Sequence, residues 1–401
     1  MQLVTCDLPL DLMFQNLQIY DARERALVGL ADLAAAPLTW FRGRPRDETV
    51  RRILLLRLER IGDLLMVLDA IRDARAAWPA AEIDLAVGSW NSPLATLIPG
   101  INRFEIVDAP WLARDAAGAT WPQLIAQARS WRARRYDLVI NFEPDVRSNL
   151  LAWLSGGRRR AGYWTGGGGA FLTDAAPYNP ASHVSINARQ LIARVSQQPL
   201  DRLPASADVR PRLVPPSDAV DRARTVLGTN ARPLIGVHVS GGRPSKQWHV
   251  DRFAAVAREL ARTHGATIVL TGAPADRPLI DLARRALHGV PFVDASGALD
   301  LQTLAALLAE LDLLITSDTG PMHLGAAMGT AVLALFGPAD PRRYGPLARH
   351  ARVVRVDLWC SPCGRVRLPP ERCRGKVPDC MDGIDVESVV SAARDLLTLS
   401  R

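Results

Sequence analysis

The run 52–58 is apolar at nearly every position rather than at every second one, with Ile53, Leu54, Leu55 and Leu56 between two arginines and Leu58 after them. Such a run fits a strand covered on both faces, as in a parallel sheet. Strand-like and helix-like patterns then alternate. Strands are predicted at 82–87, 103–107 and 137–142, and helices at 63–77, 122–134 and 145–154. A second series follows, with strands at 234–239, 267–271, 291–293, 311–316 and 331–336. Its helices fall at 250–263, 277–287, 301–309 and 320–328. This alternation predicts βαβ units and an α/β fold of two Rossmann-like halves, with ligands at the carboxyl ends of the strands and a cleft between the halves.

The segment before the first strand reads differently. Residues 8–33 have apolar positions at loosely helical spacing (Leu10, Phe14, Leu17, Leu27, Leu30), and Arg42 to Arg46 reads as a linker. A helix packed on the body is favoured over one lying on a membrane surface. Residues 196–217, with five prolines, read as the interdomain region. The expected organisation is an appendage over 1–48, an N-terminal domain over 49–205 and a C-terminal domain over 206–401. The final helix is allowed to pack back on the first domain.

A chain of 401 residues with 48% hydrophobic and 22% charged residues can bury a large core, which excludes a disordered chain. The net charge of +8 fits an anionic partner, or simply an Arg-rich composition. No run of about 18 uncharged apolar residues is present, and the first residues carry Asp7 and Asp11 without a basic stretch. A cytoplasmic protein is therefore expected. The five cysteines do not read as a secreted disulfide framework.

Candidate chemistry sits on loops that follow predicted strands. Ser317-Asp318-Thr319-Gly320-Pro321-Met322-His323 lies between a strand and a helix. Free N–H groups and the positive end of the helix dipole make such a terminus an anion site, with His323 one turn further on. In Arg57 to Asp63, Gly62 lets the backbone turn or approach a ligand, and Asp63 at a helix start is an N-cap or a carboxylate base. Ser240 to Trp248 joins Gly241 and Gly242 to the cations Arg243 and Lys246, a set suited to a diphosphate though not in P-loop spacing. Asp276, after another strand, is a ribose ligand or an N-cap.

Together these segments resemble glycosyltransferase family nine, the ADP-heptose:lipopolysaccharide heptosyltransferases, from about Arg52 to Leu397. The carriers are 53–63 ending in Gly62-Asp63, 240–248 ending in Lys246-Gln247-Trp248, 317–324, and 335–341. The resemblance implies a GT-B fold, with the acceptor on the N-terminal domain and the nucleotide-sugar on the C-terminal one. It implies an inverting, metal-independent transfer of a sugar, heptose from an ADP-linked donor, to a lipopolysaccharide-core or other envelope glycan. Asp63 looks like the general base. Lys246 looks like the diphosphate cation, and Thr319, Gly320 and His323 like further diphosphate contacts. Gly62, Ser240, Arg243, Asp276 and Asp318 complete the expected substrate-binding set; Asp276 stands where the family usually has a longer Glu.

The reaction so implied needs no cofactor. Its partners are a nucleotide-sugar and a glycan or glycolipid acceptor at the inner membrane surface, with peripheral association and no nucleic acid. Two other functions stay open on the residues alone: a GT-B nucleotide-sugar hydrolase or epimerase, and a basic nucleic-acid-binding protein, which lacks any recognisable helix-turn-helix, zinc-finger or stacking motif. On the acceptor side, Arg129, Arg132, Arg134, Arg135 and Arg158 to Arg160 form either a phosphate-binding surface or a solvated basic face. Gly166 to Gly169 reads as a flexible loop or a surface turn. Cys360, Cys363, Cys373 and Cys380, in the pattern C-x2-C-x9-C-x6-C, fit a structural Zn²⁺, plain thiols or a disulfide.

Overall fold

The computed structural model describes residues 14, 16–19, 21–37, 49–112, 118–203, 212–297 and 299–399. The chain forms two compact units. The first takes in 1–95, 100–180 and 185–204; the second takes in 96–99, 181–184 and 205–401. The proposed linker 42–46 lies outside the described residues, as do 204–211 of the interdomain stretch.

In the first unit, six parallel strands run in the order β3-β2-β1-β4-β5-β6. They are β1 (Arg52–Leu56), β2 (Glu82–Val87), β3 (Arg103–Ile106), β4 (Leu138–Asn141), β5 (Arg159–Tyr163) and β6 (Asp174–Ala176). Ile53 to Leu56 are all buried, which is why the run shows no alternation: helices cover both faces of the sheet. One face packs Leu54, Leu56 and Val139 on Leu124, Ala128, Trp131 and Leu151.

The second unit repeats the plan with β7 (Leu234–His238), β8 (Thr267–Thr271), β9 (Phe292–Asp294), β10 (Leu313–Ser317), β11 (Val332–Leu335) and β12 (Ala351–Val354). Read from β9, its order β9-β8-β7-β10-β11-β12 matches that of the first sheet. Its core gathers Ile235, Val237, Ile268, Leu270, Leu313 and Ile315 under helices Val250–His264 and Val386–Leu399. Trp248, expected in a ligand loop, is instead fully buried here. It meets Phe253 edge-on at 4.8 Å and donates its ring N–H to Ile384 O at 3.1 Å.

Three expectations change. β5, β6 and β12 were not predicted: β6 and β12 are short edge strands, and β5, though paired on both sides, opens on two arginines. The helix expected over 63–77 is two, Ile61–Met66 and Leu68–Ala77, separated at Val67. The glycine run is packed rather than a free loop. A Cβ on Gly166 would lie 2.0 Å from Pro144 O, and Gly167 and Gly168 take φ of +91° and +74°. Within the N-terminal stretch, helix Ala22–Ala35 packs on the first unit through Ala26 and Gly29, and Asp32 accepts the Gly168 N–H at 2.7 Å.

Candidate functional site

In the first sheet the chain runs outward from β1 to β3, then returns to β1's other side for β4. Ligands of open α/β sheets bind at the carboxyl ends of the strands flanking such a reversal. The loops leaving β1 and β4 there carry a dense polar cluster. Arg57 is only 2% exposed. Its guanidinium donates to Asp63 O at 3.1 Å and to Phe142 O at 2.9 Å. The same group pairs with Glu59 at 2.9 Å and lies 3.6 Å from Asp63 Oδ1. Burial works to lower the Arg57 pKa, but Glu59, Asp63 and Glu143 outweigh it and raise it.

Glu143 follows β4 and is buried. Its Oε1 accepts the N–H groups of Leu58 at 2.5 Å and Glu59 at 3.0 Å, which fixes the loop after β1. Burial pushes its carboxyl up to about 6, against the pull of Arg57 and of those two donors. Glu59 is pushed up to about 8, mainly by burial, with Arg57 opposing and Asp63, Glu143 and Asp145 adding to the push. About a third of its side chain remains exposed (34%), and water there weakens the effect.

Asp63 is not an N-cap. The helix begins at Ile61 with Arg60 as its cap, and Asp63 in the first turn accepts the Arg60 N–H at 3.2 Å. Gly62 lies in that same turn. With 29% of its side chain exposed, Asp63 combines a fixed position with access to a ligand.

The second sheet reverses in the same way, between β7 and β10. The loops leaving these two strands meet through Lys246, whose ammonium bonds Asp318 Oδ2 at 2.7 Å and Asp318 O at 3.0 Å. Lys246 remains 20% exposed. An ammonium has three N–H donors, so one is left for a ligand. Asp318, expected to contact substrate, holds the lysine in place. Thr319 is the N-cap residue of helix Gly320–Met328, but its hydroxyl bonds to Ser317 O at 3.2 Å and to Thr316, leaving the helix end without a side-chain cap. That end carries N–H groups without intrahelical partners, and it begins two residues after Asp318, which Lys246 bonds.

Ser240 Oγ accepts the Gly242 N–H at 3.2 Å, and a Cβ on Gly242 would stand 4.0 Å from the Thr319 methyl, so the two loops adjoin. Gly242 needs φ of +65°. Arg243 is exposed at the start of the single turn Pro244–Lys246, and His323 is buried in the first turn of its helix. In the turn Pro274–Asp276 that follows β8, Asp276 accepts the Ala273 N–H at 2.9 Å. Nearby, His238 Nδ1 meets Thr271 Oγ1 at 3.1 Å; burial lowers the His238 pKa.

The structure thus gathers Ser240, Lys246, Asp318, Thr319 and Gly320 in one unit, and Asp63 with Arg57 in the other. Glu59, Glu143 and Arg57, which the sequence reading did not single out, form the buried charge cluster beside Asp63. The available signal was a charged residue within three positions of the end of β1 and of β4. The basic surface proposed for the acceptor is largely taken up within the fold. Arg134 pairs with Asp84, Arg158 with Asp137 and Arg159 with Asp174, while Arg132 and Arg160 bond to carbonyls. Asp137 and Arg159 stand at the amino ends of β4 and β5, away from the loops that carry Asp63.

The profile of glycosyltransferase family 9 (heptosyltransferase) matches residues 124–370, more than half of the chain. The chain belongs to glycosyltransferase family 9. It is a glycosyltransferase, and its two Rossmann-like sheets are those of the GT-B class. Lipopolysaccharide heptosyltransferase 2 of Salmonella typhimurium is 26% identical over 316 residues, covering 76% of this chain and 88% of that protein. A family 9 glycosyltransferase structure from Veillonella parvula superposes with a TM-score of 0.73 at 24% identity, covering 88% of this chain and 99% of the other. The ADP-heptose lipopolysaccharide heptosyltransferase II of E. coli gives a TM-score of 0.68 at 21% identity, covering 87% and 99%. Among the described residues, no helix is long and apolar enough to cross a membrane.

Proposed function

We propose that this glycosyltransferase moves a heptose from an ADP-linked donor to a lipopolysaccharide-core or related envelope glycan, with inversion and without a catalytic metal. The observation that carries the donor half is the Lys246–Asp318 pair beside the uncapped end of helix Gly320–Met328. The pairing leaves one ammonium donor and a row of helix N–H groups for a diphosphate, whose charge grows as it departs. Arg243, on the loop of Lys246, and His323, in the first turn of the helix, complete the set; Asp276 is the candidate for the ribose. The relatives' names supply the sugar, the nucleoside and the acceptor.

On the acceptor side, Asp63 takes the proton of the attacking hydroxyl as that oxygen bonds to the anomeric carbon and the bond to the diphosphate breaks. Arg57 and the Arg60 N–H hold the carboxylate in one orientation. A glycolipid acceptor places the reaction at the inner membrane surface. Family membership favours transfer over hydrolysis, epimerisation or nucleic-acid binding. The test is a thermal-shift comparison of ADP, GDP, UDP and CDP, followed by a transfer assay with ADP-heptose and truncated lipopolysaccharide. Selective stabilisation by ADP and appearance of a glycan one heptose heavier are the expected results. Heptose released only to water, or stabilisation by a different nucleotide alone, would defeat the reading.

A further inference from the structure

The stretch 355–378 is the least regular part of the second unit. Its only helical or strand element is the single turn Glu371–Cys373. Trp359 and Leu368 stay exposed on it, while Val356, Leu358, Val366 and Val377 are only partly buried against the core. Irregular segments this long usually need some device to order them. Side-chain bonds fix two of its points: Ser361 Oγ donates to Gly337 O at 2.7 Å, and Ser245 Oγ donates to Val366 O at 2.9 Å.

Four thiols stand within and just after this stretch. Cys380 is buried, Cys360 and Cys373 are half-buried, and Cys363 is exposed. All four line one cavity of about 20 Å³, together with Ser245 and Pro338. That is room for about one water-sized sphere and far too little for a nucleotide or sugar. Arg365 and Arg372 line the same cavity, Arg372 with its guanidinium over the Trp359 ring at 4.6 Å.

The geometry points to a structural site for one thiophilic divalent ion, Zn²⁺ or Fe²⁺, held by Cys360, Cys363, Cys373 and Cys380. Four thiols around a single ion-sized cavity, with the first two in C-x2-C spacing, match the donor set of such sites. Binding exchanges four S–H protons for one M²⁺, leaving a complex of net charge −2, and the two lining arginines offset that charge. Among the described residues no three His, Cys, Asp or Glu side chains are already assembled as a metal site. The ion therefore draws the thiolates inward, and its binding is coupled to closing the segment. Because Ser245 both lines the cavity and precedes Lys246, the ion orders the segment on which the lysine's loop rests.

The test is metal analysis of untagged, full-length protein purified anaerobically without chelator. About one equivalent of zinc or iron per chain is expected, and the analysis says which. After chelation, adding Zn²⁺ or Fe²⁺ alone should raise the melting temperature and protect the thiols from alkylation. The C360S/C363S variant should show neither response. If that variant does not fold, Co²⁺ added to the apo wild type decides instead, through its thiolate charge-transfer and tetrahedral d–d bands. Metal-free protein whose melting temperature and thiol reactivity ignore all three ions overturns the proposal. So does a Cys360–Cys363 disulfide found by mass spectrometry in the native protein.

Discussion

At the scale of single residues, Asp63 and Lys246 carry separable burdens. Asp63→Ala is expected to lower transfer about 10²–10⁴-fold, the usual weight of a general base, with ADP affinity unchanged by calorimetry. Transfer at the parental rate would remove Asp63 from the mechanism. Lys246→Met is expected to weaken ADP binding, because it deletes the ligand-facing donor and also leaves Asp318 unpaired. Losing one partner of a largely buried pair costs more than the pair's net contribution, so the same variant should melt earlier.

Glu59 and Glu143 add a pH dependence. Both carboxyls sit above their ordinary value of 4.5, at about 8 and about 6, so the folded chain binds these protons more tightly than the unfolded one. Their contribution to stability is complete below pH about 4.5 and declines as pH rises through about 6 and then about 8. Melting curves across that window should show the decline in the wild type. Glu59→Gln should flatten its upper part; an unchanged slope would place the titration elsewhere.

At the scale of elements, the central strands and the glycine turn are the sensitive parts. Leu55 in β1 and Ile315 in β10 are fully buried in the middle of their sheets, so truncating either to Ala should cost about 2–5 kcal/mol. Gly166→Ala puts a methyl group against the backbone carbonyl of Pro144, beside Glu143, and should cost about 1–3 kcal/mol. Chemical denaturation midpoints check both.

This is also where the reading from sequence succeeded and failed. The buried runs announced β1, β7 and β10 because a strand covered on both faces cannot alternate. β5 stayed hidden because Arg159 pairs with Asp174, an arrangement made only once β6 lies alongside. For Asp63 the N-cap alternative fails, since Arg60 supplies the cap and Asp63 lies in the first turn. Lys246 was legible from its neighbouring glycines. Its partnership with Asp318 was not, because 72 residues separate them and only the β7–β10 pairing brings their loops together.

At the scale of the whole molecule, the two sheets share one strand order, and each places its polar cluster where the order reverses. On the proposed function, donor site and base belong to different units, so a substitution at one is expected to leave the other intact. ADP at 100 times its dissociation constant should stabilise the folded chain by about 2.7 kcal/mol, and equally so in Asp63→Ala. A scan of melting temperature against ADP concentration in both proteins measures this.

The division of strands between the units also has a meaning in time. Every strand of the first sheet is complete at Ala176, and the helix whose Arg189 pairs with Asp73 ends at Ser196. The second sheet begins only at Leu234. At ordinary rates of synthesis, the gap from Ser196 to Leu234 takes roughly 2–8 s to translate, long compared with the folding of a typical small domain. The half that carries Asp63 can therefore close its core on the ribosome before the competing apolar strands of the other half emerge.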